Sequence, residues 1–485
     1  MESVSPPART VEPATARGTS RNTRVAALIV ACALFMQNLD STVIATALPH
    51  MARAFGADPV HMSVALTSYL LSLAVFIPAS GWVADRYGAK PVFRAAIIVF
   101  TLGSILCGRA DSLWFLVLAR VVQGIGGAMM LPVGRLVLLR SVPKREMVAA
   151  MSWLSAPALL GPVVGPPLGG FIVESFSWRW IFDINVPIGV LGVVLVTLFI
   201  EDVRESEPAP FDAWGLLWSG LCLALVMIGF ETAGRHLVPL AWTLGLLAGG
   251  VLAGLAYVWH ARRHPRPLLD FTLLRDRSFQ VACVAGTLFR FGVGALPFLM
   301  PLMLQLGFGY SPAESGLTTF ATAAGALAVK PLATTVLRRY GFRHTLVWNG
   351  VLASLSLALC ALFRPSWPAW TMFLLLLVGG TFRSVQFSSF NTLVYADIPR
   401  PQMSAATSLY STIQQLSLTI GITMGAASLE IARTFSGHAE PSLGDFSLAF
   451  LVVSVLALLA SPLAARLPRE AGAEMTGFRP PPVRQ

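Results

Sequence analysis

Long apolar runs separated by short polar connections fill this chain from residue 25 to residue 466. A helix that crosses a bilayer needs about 20 apolar residues. The pattern predicts fourteen such spans, at roughly 25–48, 60–84, 92–108, 112–136, 147–173, 179–200, 212–233, 239–260, 278–306, 313–336, 344–363, 369–394, 402–430 and 445–466. The expected fold is an all-α polytopic membrane protein. An even number of spans places both chain termini on the same side.

The composition agrees with the pattern. Of 485 residues, 55% are hydrophobic and 12% charged, against about 25% charged in ordinary soluble proteins. The 35 Lys and Arg residues are unevenly shared: 24 fall in the tails and loops on the side of the N-terminus and six in the opposite loops. The positive-inside rule therefore puts both termini in the cytoplasm. The net charge of +11 is a topology signal spread over short loops, which argues against nucleic acid as a partner. Residues 1–24 and 467–485 read as disordered cytoplasmic tails, with no cleavable signal peptide. Cys32, Cys107, Cys222, Cys283 and Cys360 lie within apolar spans without paired metal-ligand spacing, and read as small buried hydrophobes.

The chain repeats itself. Arg86-Tyr87-Gly88 recurs as Arg339-Tyr340-Gly341, 253 residues on, each time in a basic turn; Ala149-Ala150 is echoed by Ala405-Ala406. The expected organisation is a six-helix bundle over 25–200, two inserted helices with a basic cytoplasmic linker over 201–277, and a second six-helix bundle over 278–466. Parallel halves with a site between them near the bilayer midplane are a known transporter plan.

Four segments carry a family resemblance. They are Leu39-Asp40-Ser41-Thr42-Val43 in the first span, Gly81-Trp82-Val83-Ala84-Asp85-Arg86-Tyr87-Gly88 after the second, Arg120-Val121-Val122-Gln123-Gly124 in the fourth, and Gly161-Pro162-Val163-Val164-Gly165-Pro166-Pro167-Leu168-Gly169-Gly170 in the fifth. Together, in this order, they resemble the major facilitator superfamily, in its 14-helix drug:proton antiporter branch, the EmrB/QacA-type multidrug exporters. The resemblance implies an inner-membrane, proton-coupled antiporter that exports amphiphilic small molecules by alternating access. It uses the proton gradient and no cofactor or metal. It also implies gating by Gly81, Asp85, Arg86 and Gly88 on the cytoplasmic side and by Gly161, Gly165, Pro166, Gly169 and Gly170 on the outer side. Arg120 takes a role in proton coupling.

The residues support these roles physically. Glycines every fourth residue let a second helix approach backbone to backbone, while Pro162, Pro166 and Pro167 remove helix hydrogen bonds. Asp40, deep in the first span, can take up and release a proton, and a nearby Arg120 would hold it ionised. A static Asp–Arg pair is the plainer reading of the same two residues.

Five cations lie inside spans: Arg120, Arg135, Arg290, Lys330 and Arg383. Each costs about 2.5–3.5 kcal/mol at bilayer depth on insertion scales and should face a wet cavity or a partner. Arg135 and Lys330 lie near span ends and are expected to snorkel. Arg290 and Arg383, with Gln123, Gln386, Asn391 and Gln414, are the expected substrate-binding residues. A site so basic and so rich in Phe and Met suggests an alternative cargo, anionic amphiphiles such as lysophospholipids, fatty acids or organic acids, exported or flipped. Asp183 takes no role.

The spans at 212–233 and 239–260 read as peripheral, lipid-facing helices. The following segment, with Arg262, Arg263, Arg266, Arg275 and Arg277, is expected to form an amphipathic helix on anionic lipid. The seven histidines lie in loops or at span ends, and no Asp-rich box or nucleophile elbow occurs, so an enzyme is not expected. A non-transporting receptor or sensor is the rival class; it would not need both gating motifs. The protein is expected to be a monomer in the lipid bilayer, with a periplasmic adaptor unsupported by any docking domain.

Overall fold

A computed structural model describes residues 21–141, 147–200, 211–233, 239–265, 267–399, 402–437 and 440–473. The expectations for the two tails lie largely outside these residues. The described residues contain no strand and form helices α1 (Arg21–Val43), α2 (Leu48–Phe55), α3 (Ser63–Tyr87), α4 (Ala89–Gly108), α5 (Leu113–Ser141), α6 (Met147–Ser175), α7 (Trp180–Asp183), α8 (Asn185–Phe199), α9 (Ala213–Ala233) and α10 (Leu240–Ala261). They continue with α11 (Arg277–Leu302), α12 (Pro312–Ala328), α13 (Lys330–His344), α14 (Gly350–Leu359), α15 (Ala369–Leu393), α16 (Met403–Ser436), α17 (Leu443–Leu458) and α18 (Ala460–Ala464). Eleven helical stretches among the described residues are long and apolar enough to cross a membrane.

One pairing scheme occurs twice. In the first set α1 packs on α6, α3 on α5, and α4 on both α5 and α8. In the second set α11 packs on α16, α12 on α15, and α14 on both α15 and α17. Two seams join the sets, α6 against α12 and α3 against α16. The end of the bundle where α1 begins is called the near end here, and the opposite one the far end.

The Arg-Tyr-Gly repeat marks equivalent turns at the near end. Gly88 closes α3 at φ 94° and ψ 143°, and Gly341 breaks α13 at φ 69° and ψ 170°. L side chains rarely adopt these angles, so glycine is required at both turns.

The α9–α10 hairpin lies on the outside. Only 22% of each of its span windows is buried, against 67% for α11, and Trp214, Leu252 and Trp259 are exposed. Its inner face meets α3 and α16 beside their seam.

The described residues after α10 do not form the expected amphipathic helix. Among the described residues between Ala261 and Arg277 the only helical element is one 3-10 turn, Phe271–Arg275. Pro265 and Pro267 oppose a continuous helix, and local bonds hold the chain down instead. The Tyr257 hydroxyl accepts from Leu269 N at 2.6 Å and donates to Leu269 O at 2.9 Å. Asp212 caps α9 through Gly215 N (2.8 Å) and accepts from Leu268 N (3.1 Å) and His260 (2.6 Å). Burial alone would push the Asp212 carboxyl up, but the His260 bond and the two backbone donors outweigh it and hold it below the usual carboxylate range.

Candidate functional site

The first buried charge cluster brings α1, α5 and α8 together. Asp40 is 1% exposed and Arg120 is fully buried. Arg120 Nη1 donates to Asp40 Oδ2 at 2.6 Å and to Gln123 Oε1 at 2.7 Å. Gln123 Nε2 donates to Asp40 Oδ1 at 2.8 Å, and Asn185 Nδ2 to the same oxygen at 3.0 Å. Arg120 Nε donates to Ala65 O at 3.0 Å, and the guanidinium lies 4.3 Å from the centre of the Tyr69 ring. Desolvating two ions costs several kcal/mol each, which close pairing offsets only when the remaining polar atoms are also satisfied. Both Asp40 oxygens meet that condition. Arg120 Nη2 does not: it is buried without a partner, as are Asn185 Oδ1 and the Tyr69 hydroxyl.

Two corrections arise at this cluster. Gln123, expected among the substrate-binding residues, has both ends of its amide tied to the Asp40–Arg120 pair, three residues from Arg120 on the same helical face. Asn185 and Tyr69 were missed. An amide deep in an apolar run, three residues after Phe182, was the available signal for Asn185.

The far end joins the two sets of helices. Across α6–α12, a Cβ at Gly170 would lie 2.3 Å from Pro312 O, and one at Gly316 2.3 Å from Pro166 O. Glu174 Oε2 accepts from Ala313 N at 3.2 Å, which caps the first turn of α12 from the other set. Gln305 Nε2 donates to Thr46 O at 3.0 Å. Arg433 at the end of α16 is ion-paired to Asp58, just ahead of α3, and to Glu430 at 2.8 Å. Within the first set, Gly161, Gly165 and Gly169 face Asn38, Thr42 and Val43 of α1, each leaving no room for a Cβ. Helix α6 runs unbroken through its four prolines, Pro157, Pro162, Pro166 and Pro167.

At the near end, Asp85 is half-buried and Arg86 exposed. Trp82 stacks on Phe211 at 4.4 Å, and Lys90 Nζ donates to Thr197 O at 3.0 Å. At Gly81 a Cβ would meet nothing within 4 Å, so no other helix packs closely there.

The second set holds two cations apart from each other. Arg290 is fully buried and donates to the Tyr410 hydroxyl and, at 3.5 Å, to Asn391 Oδ1; Tyr410 donates to the same Asn391 oxygen at 2.8 Å. Its Nε and Nη1 are buried without partners. Arg383, 5% exposed, donates to the Ser356 hydroxyl at 3.1 Å, between α14 and α15. Among the described residues neither arginine pairs with a carboxylate. Gln386 is bound by Leu346 O (2.9 Å) and Asn349 (3.0 Å), so its amide serves helix packing. Gln414 is half-buried on α16. Lys330 is exposed at the start of α13, and its ammonium donates to Ser388 on α15 at 3.1 Å. Arg135 lies on α5, and its side chain is outside the described set. Asp183 faces Gly108 near the far end of α4.

A cavity of about 340 Å³ among α3, α4 and α5 is lined by apolar residues such as Val83, Val99 and Met129, away from both clusters.

The sequence model of the Major Facilitator Superfamily matches residues 30–422. The chain belongs to the Major Facilitator Superfamily. Relatives within the superfamily include "Putative multidrug resistance protein MdtD" of Pectobacterium atrosepticum, 39% identical over 90% of this chain and 93% of that one. The protein of the same name from Klebsiella pneumoniae is 38% identical over 92% and 94%. Two solved superfamily-like structures share the fold at low identity. The human organic anion transporter MFSD10 aligns with TM-score 0.59 at 14% identity, over 92% of this chain and all of the other. A POT family transporter in complex with 5-aminolevulinic acid aligns with TM-score 0.66 at 15% identity, over 91% and 94%.

Proposed function

We propose that this superfamily member is a proton-driven antiporter that exports amphiphilic small molecules by alternating access. It would lie in the bacterial inner membrane with fourteen spans, two six-helix halves and both termini in the cytoplasm. The observation that carries the reading is the fully buried Asp40–Arg120 pair, bracketed by Gln123 and Asn185. A carboxylate at bilayer depth whose cation lies on a different helix couples proton binding to the separation of α1 and α5. One proton entering down the membrane potential supplies about 2.3 kcal/mol per 100 mV. Support for export comes from the multidrug-resistance names of the relatives and from the joined far end, which fits a conformation open toward the cytoplasm.

A second reading changes the cargo and not the mechanism. Arg290 and Arg383 are buried with no carboxylate partner among the described residues, and Arg290 keeps two buried donors unbound. An anionic head group would satisfy them, which favours anionic amphiphiles.

The test is transport in proteoliposomes with an imposed proton gradient, with a lipophilic fluorescent dye and anionic and cationic amphiphiles of matched chain length. Wild type should move a substrate and dissipate the gradient, and Asp40→Asn should bind the substrate without coupled movement. Coupled transport by Asp40→Asn would overturn the proton assignment, and binding without any movement in wild type would return the protein to the sensor class.

A further inference from the structure

The near end of the inserted hairpin gathers three metal-binding groups that the transport reading does not use. Asp212 is the N-cap of α9 and is 6% exposed. His260 lies in the last turn of α10, and His264 follows one turn later, its N–H donating to His260 O at 3.0 Å. Spacing of four along a helical path sets both imidazoles on one face; their ring centres are 5.3 Å apart. One donor atom from each of the three residues lies within 4.8 Å of the other two.

We propose that Asp212, His260 and His264 form a binding site for one divalent transition-metal ion of the zinc class. Two imidazoles and one carboxylate are a donor set that suits zinc, and they leave a fourth tetrahedral position to water. Ligand atoms at about 2.0–2.2 Å from zinc stand roughly 3.3–3.5 Å apart in a tetrahedron. The present 2.6 Å contact of His260 Nε2 with Asp212 Oδ1 would open slightly as the ion replaces the shared proton, and His264 would close in. The carboxylate is already aimed, since Gly215 N holds one oxygen and Leu268 N the other. Such outer hydrogen bonds orient the ligands of natural metal sites. Arg263, adjacent to His264 in sequence, lies over the Trp259 ring at 3.9 Å, so its stem and charge are directed onto that ring. A hydrogen-bonded Asp212–His260 pair would by itself pin the hairpin. It does not call for a second imidazole on the same face.

Bound metal would tie the start of α9 to the end of α10 and, through Leu268, to the linker that leads into α11. This inference is independent of the proposed cargo and of proton coupling.

The experiment uses the full chain purified on an affinity tag without histidine, stripped with chelator and titrated with Zn²⁺. The expected result is one ion bound per chain, a melting temperature that rises and saturates at that ratio, and a visible absorption band typical of tetrahedral coordination when Co²⁺ replaces zinc. His264→Gln leaves the Asp212–His260 bond in place, and without metal the variant should still unfold in a single cooperative transition. Losing outer-shell partners alone costs about 10–100-fold in affinity, so loss of this ligand should weaken zinc by at least about tenfold. Asp212→Asn should weaken it as well, and His344→Gln, outside the three-residue group, should not. The absence of stoichiometric zinc binding by wild type, or binding by His264→Gln and Asp212→Asn as tight as that of wild type, would overturn the site.

Discussion

Arg433 at the end of α16 reaches Asp58, 375 residues earlier in the chain, and the two close the far end between the two sets of helices. Both side chains are partly exposed, so the pair contributes about 1 kcal/mol or less. That is enough to shift a two-state equilibrium about fivefold. Arg433→Ala should raise the reactivity of a cysteine placed at Thr46, in an otherwise cysteine-free chain, toward a membrane-impermeant reagent by up to about that factor. Unchanged labelling would remove the pair from the gate.

The glycines at the α6–α12 crossing act on the same equilibrium by a steric route. A side chain at Gly170 or Gly316 meets a carbonyl oxygen at 2.3 Å, and backbone cannot step aside as a flexible side chain can. Gly170→Val and Gly316→Val should each cost about 1–3 kcal/mol through overpacking and increase Thr46→Cys labelling. Gly245→Ala, where a Cβ meets nothing within 4 Å, should not lower the melting temperature and should leave the labelling unchanged.

Removing either member of the Asp40–Arg120 pair should destabilise the protein by about 3–5 kcal/mol, and only one of the two deficits should depend on pH. A carboxyl stripped of its cation can neutralise itself by binding a proton, whereas guanidinium cannot lose one. The deficit of Arg120→Gln should therefore shrink as pH falls, because the buried charge disappears. The deficit of Asp40→Asn should persist across the same range. Thermal unfolding in detergent from pH 8 to pH 5 distinguishes the two, and parallel curves would show that Asp40 does not titrate in the folded protein.

Arg290→Gln should abolish any stabilisation by anionic amphiphiles and leave stabilisation by cationic ones intact, since a ligand that binds only the native state raises the melting temperature by mass action. Stabilisation by cations alone in wild type would make Arg290 a structural charge held by Tyr410 and Asn391.

Local signals in the chain were legible, and contacts across it were not. Hydropathy marked the apolar runs that fold as helices, and eleven helical stretches among the described residues are long and apolar enough to cross a membrane, because bilayer thickness sets the length of such runs. The Arg-Tyr-Gly echo located two equivalent turns, because only glycine tolerates the positive φ at Gly88 and Gly341. Asp40 and Arg120 stood out as charges in apolar runs, and their pairing followed from the cost of leaving them apart. Asp58 and Arg433 looked like ordinary loop charges, since nothing local distinguishes a residue that bonds across the molecule. Gln123 and Gln386 showed a related limit: a polar residue in a span must find a partner, but its sequence does not say whether that partner is cargo or another helix. The basic linker misled by composition, as its two prolines outweighed its charge pattern.

The two turns at Gly88 and Gly341 share a backbone shape but not a sign. Asp85 precedes the first by three residues, and Arg338 stands in the same place before the second. A duplicated ancestor would have carried one kind of turn twice, so this difference in charge makes the near end electrically handed although its geometry is not. Exchanging the two segments should leave a chain that folds but carries its acidic near-end turn in the second set of helices instead of the first.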